Sequence, residues 1–129
     1  MSEEMKEITA QELNGEDLIE VLVKEYGEEV KEINEKYSKD GYTVYGYIFD
    51  DNEKLFLFRN LKTREYRKLK REAKDDDDME NKILMTGIVY PKLKSVEEIE
   101  ELNAGEVEIL LNFIALASGF NSQSPVFKL

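Results

Sequence analysis

The sequence contains no cysteine and no histidine among its 129 residues. The first absence excludes disulfides and thiolate chemistry. The second removes the usual general base and the commonest metal ligand. No glycine-rich phosphate loop and no nucleophile motif occurs either. Paired carboxylates can do acid–base work, but the 29 acids are so abundant that no pair stands apart. No catalytic residue, no metal site and no cofactor is therefore expected. No apolar run approaches the roughly 20 residues that span a bilayer, and no signal peptide precedes the first acidic residues. The expectation is a soluble intracellular chain without a membrane partner.

Basic residues are scarce as well, 18 in all, which leaves a formal charge of −11 at pH 7. The imbalance is uneven. Residues 1–41 carry 13 acids against 5 bases, whereas residues 59–74 carry 8 bases against 2 acids. An acidic whole argues against general nucleic-acid binding, because phosphate contacts need a positive surface. Nucleic acid is thus not an expected partner, with the basic segment as the one local exception.

What is present suits one domain over residues 1–129, with 1–15 and 121–129 as looser ends. A hydrophobic content of 41% supports a real core. Thr9 and Glu12 have the spacing of a capping box. From Asp17, the residues Ile19, Val23, Tyr26, Val30, Ile33 and Tyr37 recur at steps of four and three, which predicts a helical stripe. Gly27 interrupts that stripe and can split it into two helices. The stripe is short for a coiled coil, so packing on its own domain is the expectation.

Asp40-Gly41 ends the helical pattern. Residues 42–49, YTVYGYIF, and 55–58, LFLF, flank a short acidic turn, and together they predict one β-hairpin over about residues 42–58. The turn lacks the spaced ligands and the glycine of a calcium loop. A further helix follows, with Asn60 or Thr63 as its N-cap and Tyr66, Leu69 and Ala73 as its apolar stripe. Its Arg64, Arg67, Lys68 and Arg71 form a basic strip, read as a solvated face partly paired with the acidic N-terminal half. Asp75 to Asp78 repel one another and mark a loop or a helix start. Residues 79–90 read as an apolar helix that Pro91 stops. Ser95 and Glu98 match a second capping box before a short helix. The fold class expected is α+β, mainly helical, with a single hairpin.

Residues 104–120, AGEVEILLNFIALASGF, organise the rest. On a helical wheel Val107, Leu110, Leu111, Ile114 and Ala117 share one face, and Ile109, Phe113, Leu116 and Phe120 line a second. A helix apolar nearly all round needs cover on both sides. The first face is expected to meet the domain's own core. The second is assigned to partner binding, by a copy of the chain or a client helix. The competing expectation is that Val126 and Phe127 of the tail fold back over it.

The order Leu57-Phe58-Arg59-x-Leu61-x-x-x-Glu65-Tyr66 continues with an acidic break, Tyr90-Pro91, then Ala104-Gly105-Glu106 and Ser118-Gly119-Phe120. This pattern, over about residues 55–120, resembles the small tail-assembly chaperones of long-tailed bacteriophages. The resemblance implies a non-catalytic protein of the infected cell's cytoplasm, absent from the mature virion. It implies as partners the tape-measure protein and components of the tail tube, with a homo-oligomer also allowed. Exposed apolar surface and strong net charge for solubility suit such a role. The alternative is a small acidic phage-type inhibitor or nucleic-acid mimic that binds a host protein through its carboxylates.

Overall fold

The run Leu55-Phe56-Leu57-Phe58 is apolar at every position, so a strand there must be covered on both faces. Side chains alternate across a strand, and two of them point each way. The computed structural model, which describes residues 16–49 and 54–120, meets that need with three layers. In chain order the elements are α1 (Glu16–Tyr26), α2 (Glu29–Lys39), β1 (Val44–Phe49), β2 (Lys54–Arg59), α3 (Thr63–Glu72), α4 (Asp76–Gly87), β3 (Ile88–Tyr90), α5 (Val96–Glu100) and α6 (Ala104–Ala117). The sheet is antiparallel with order β1-β2-β3, which puts the apolar run on the central strand.

The two faces of the sheet build two cores. Leu55 and Leu57 pack with Val44, Val89, Leu22 of α1 and Val30 of α2. Phe56 and Phe58 pack with Tyr47, Phe49, Leu84 of α4, and Leu110 and Ile114 of α6. The expected mainly helical α+β fold with a hairpin is the fold adopted. The hairpin runs in register from Val44 opposite Arg59 to Phe49 opposite Lys54.

Gly27, at φ +108°, separates α1 from α2, as its place in the stripe anticipated. A left-handed backbone at that point suits a residue without a Cβ. Ile19, Tyr26, Ile33 and Tyr37 of the stripe pack against the chain's own sheet. Asp75 caps α4, accepting a hydrogen bond from the Asp78 N–H at 2.8 Å. Asp76, Asp77 and Asp78 then fill the first turn, where the helix dipole favours negative charge.

Three local expectations change. Residues 88–90 are not the end of a helix but a third strand, with Leu57 opposite Tyr90 and Phe58 opposite Ile88 across an irregular register. Strand β2 has a free edge there, and pairing it satisfies backbone groups that would otherwise be buried without partners. Neither Asn60 nor Thr63 caps α3. Lys62 holds the N-cap position, and its N–H donates to Glu65 Oε1 at 2.9 Å. Asn60 is occupied elsewhere, its Oδ1 accepting from the Thr43 N–H. Ser95 stands at the N-cap of α5 without a side-chain bond, while Glu98 accepts from the Lys94 N–H at 2.7 Å. The Thr9 capping box, the turn at 50–53 and the tail bearing Val126 and Phe127 lie outside the described residues.

Candidate functional site

Helix α6 is fixed from within by Leu110 and Ile114, which are wholly buried. Val107, Leu111 and Ala117 beside them are half-buried against the same core. The helix closes on Gly119 at φ +95°. Phe120 N–H donates to the Ala115 carbonyl at 2.8 Å and Gly119 N–H to that of Leu116 at 3.1 Å. Those two bonds are the Schellman pattern, which needs a left-handed residue at the first position past the cap.

The second face of the wheel does not stay together. Phe113 turns into the core's edge, where its ring stacks on Phe58 at 5.7 Å and meets Tyr47 at 4.9 Å. Phe120 leaves the helical path at Gly119, and its ring lies 4.7 Å from that of Tyr66 on α3. It is nonetheless 48% exposed. Ile109 and Leu116 keep the expected position, 37% and 47% exposed. They lie seven residues apart, about two turns or 10 Å along one side of α6, with the half-buried Phe113 ring between them.

On the other side of α6 a small cleft of about 140 Å³ opens against α3 and α4. Tyr66, Ile83, Leu111, Ala115 and Phe120 are among its walls. None of the expected partner-binding residues except Phe120 touches it. Gly119 was the signal available for this feature, since a glycine after an apolar helix marks a chain reversal.

The polar residues of the quoted pattern make the joints of this site. Arg59, at the end of β2, reaches Glu65 of α3 with two parallel bonds of 3.1 and 3.0 Å. Its guanidinium carbon lies 4.1 Å from the centre of the Tyr42 ring, and Tyr42 donates its hydroxyl proton to Glu65 at 2.8 Å. Arg59 is nearly buried, and its Nε has no hydrogen-bond partner. Burial alone would raise the Glu65 pKa, but hydrogen bonds from Arg59, the Lys62 backbone and Tyr42 outweigh it, so the carboxyl is held below the usual range. Burial, then donation to Glu65, pushes the Tyr42 phenol above its ordinary value. Farther along, Leu61 N–H donates to Ser118 Oγ at 2.8 Å, tying the entry of α3 to the end of α6. Glu106, buried in the first turn of α6, faces Lys54 of β2 at 3.8 Å. Arg59, Leu61, Glu65, Glu106 and Ser118 therefore position elements, and each is engaged with the fold itself.

The basic strip lies exposed along α3. The described ion pairs are Lys54–Glu106, Arg59–Glu65 and Lys82–Asp78, so no cation of the strip pairs with a described acid. The expected pairing with the N-terminal half does not occur among those residues. Also among them, no group of three or more acids is arranged to hold a metal, and no helix is long and apolar enough to cross a membrane. No protein-family model, curated protein or solved structure matches the chain.

Proposed function

We propose that this chain is a tail-assembly chaperone of the kind found in long-tailed bacteriophages, holding the tape-measure protein during tail assembly without doing chemistry. One observation carries the reading. On a helix whose inner face is already covered, Ile109 and Leu116 stand exposed two turns apart, with Phe113 between them. The spacing i, i+4, i+7 is the one by which an apolar helix meets another helix. A long helical client presents the complementary stripe many times over. Because Phe113 is anchored by Phe58 and Tyr47, the surface is presented with little ordering left to occur on binding, which favours affinity. Phe120 adds apolar surface at the end of the same helix.

The chain would act in the cytoplasm of the infected cell and be displaced as tube components polymerise, leaving the mature virion without it. The rival reading, an acidic inhibitor that mimics nucleic acid, has less support. The exposed glutamates of α2 alternate with Lys31, Lys36 and Lys39, so that surface is mixed in sign. Co-expression with a tape-measure protein, followed by affinity capture in rising salt, tests the proposal. Retention that persists in high salt and is lost in Leu116→Asp supports an apolar grip. No retention, or retention that salt abolishes, overturns it.

A further inference from the structure

The cations of α3 exceed what the helix dipole and solubility call for. Arg64, Arg67, Lys68 and Arg71 follow the spacing i, i+3, i+4, i+7, so Arg64 and Arg71 each neighbour both Arg67 and Lys68 on one face. Like charges at those spacings destabilise a helix. The helix dipole favours cations only near the C-terminus, which accounts for Lys70 and Arg71 in the last turn. Arg64 sits in the first turn, at the wrong end. Solubility is no reason either, since in a chain of charge −11 each added cation brings the net charge nearer zero. All four residues are exposed and lack an ion pair with any described acid. The one acid of α3 facing inward, Glu65, is taken by Arg59.

We infer that the exposed face of α3 is a docking surface for an acidic helical segment of a partner protein. The shape of the charge selects that occupant. From Arg64 to Arg71 the strip is about 10 Å long, and past the exposed Lys74 the chain turns acidic at the exposed Asp75, Asp76 and Asp77. A nucleic acid carries phosphates continuously along its length, so it would extend past a strip this short. A helix bearing glutamates at i, i+3, i+4 and i+7 carries its charge over the same short distance. Three of the four cations are arginines, whose planar forks bind carboxylates in pairs. The one aromatic among them in sequence, Tyr66, is half-buried against Phe120 and so is not offered on the strip for bases to stack on. The surface lies on α3 and is separate from the Ile109–Leu116 face, so the inference stands or falls independently of the chaperone reading.

The test uses the whole protein and a fluorescent helical peptide of about 20 residues, long enough to hold helix on its own. Its glutamates are spaced i, i+3, i+4, i+7. A peptide of equal composition but scrambled spacing, a duplex DNA and a single-stranded RNA are titrated beside it. The expected result is binding of the patterned peptide, weaker at higher salt. The scrambled peptide and both nucleic acids should bind at least about tenfold more weakly. Reversing two charges, Arg67→Glu with Arg71→Glu, should abolish binding, and Arg67→Gln with Arg71→Gln should weaken it partway, while circular dichroism remains that of the native chain. Equal binding of the scrambled peptide, tighter binding of either nucleic acid, or no binding of the patterned peptide overturns the inference. So does self-association of the protein that the charge reversal removes, because the occupant would then be a second copy.

Discussion

Helices α6 and α3 meet at the same corner of the molecule and are built on opposite principles. Helix α6 is apolar over most of its circumference and is located by burial, with Leu110 and Ile114 wholly enclosed. Helix α3 has no buried residue at all. Beyond the half-buried Tyr66 and Leu69, which rest on the core, it is located by polar joints, Arg59 to Glu65 and Leu61 to Ser118, and by the aromatic contact of Tyr66 with Phe120. Each helix therefore carries more of the property that places it than its placement uses. Apolar residues are left over on α6, and charges are left over on α3. Surplus of either kind is where a partner can be read, because neither is required by the fold.

The comparison is broken most severely by removing the joint that holds α3. Arg59→Ala leaves Glu65 bonded to the Tyr42 hydroxyl without its counter-charge and opens space beside the rings of Tyr37 and Tyr42. Breaking this part-buried, two-fold bonded pair costs about 3 kcal/mol, the low end for a buried pair, to be measured by urea denaturation followed through tyrosine fluorescence. Arg59→Lys should recover only part of the loss, since an ammonium cannot make the two parallel bonds. If α3 were instead held by its apolar stripe, both variants would remain near wild type.

The matching change on α6 is Leu110→Ala, expected to cost about 2–5 kcal/mol through lost burial and the cavity left behind. In the same core, Gly87 of α4 approaches α6 so closely that an added Cβ would lie 2.8 Å from Ile114 Cδ1. Gly87→Ala should therefore destabilise by overpacking, by about 1–3 kcal/mol. Agreement between the two would establish that α6 is fitted from both directions, with neither slack nor spare volume.

How much of this was legible beforehand follows the same division. Burial patterns with a clear period were readable, including the stripe that Gly27 divides, the hairpin and the inner face of α6. Residues 88–90 were not, because three apolar residues continuing an apolar helix carry no period of their own. Only the open edge of β2 turns them into a strand. The joints were visible as residue types and invisible as partners. Arg59 and Glu65 are six apart, a spacing no helix or strand brings together, and Leu61 meets Ser118 across 57 positions. For the candidate site, Ile109 and Leu116 followed the wheel, whereas Phe113 and Phe120 were drawn off it by rings on other elements. A wheel assumes that the helix continues and that its neighbours are featureless.

A smaller effect sharpens the contrast through pH. The folded Glu65 carboxyl has a lowered pKa. Its contribution is present in full above the ordinary glutamate value of about 4.3 and is lost as pH falls through the lowered folded value. In Glu65→Gln the difference in melting temperature from wild type should be greatest near neutrality and shrink toward acid. A constant difference would mean that Glu65 acts through shape and not through charge. No comparable acid-dependent loss is expected from Leu110→Ala, whose deficit is one of packing.

The smallest expected effect on stability is the most informative about function. Leu116→Asp places a charge where the side chain is already 47% exposed, beside solvent and away from the rings of Phe58 and Tyr47. Surface substitutions of this sort usually change stability by no more than about 0.5 kcal/mol, so melting should be nearly that of wild type. Client capture should nevertheless be lost, because a carboxylate within an apolar contact must be stripped of water without a partner. Phe113→Asp differs although it lies three residues away on the same wheel face. Its ring is stacked on Phe58 at 5.7 Å, so a charge there disturbs the core, and loss of capture could not be separated from loss of fold. Leu116→Asp is free of that ambiguity, and so is Ile109→Asp at the other end of the stripe. Capture retained by both charged variants, with melting unchanged, would remove α6 as the client surface while leaving its role in the core untouched.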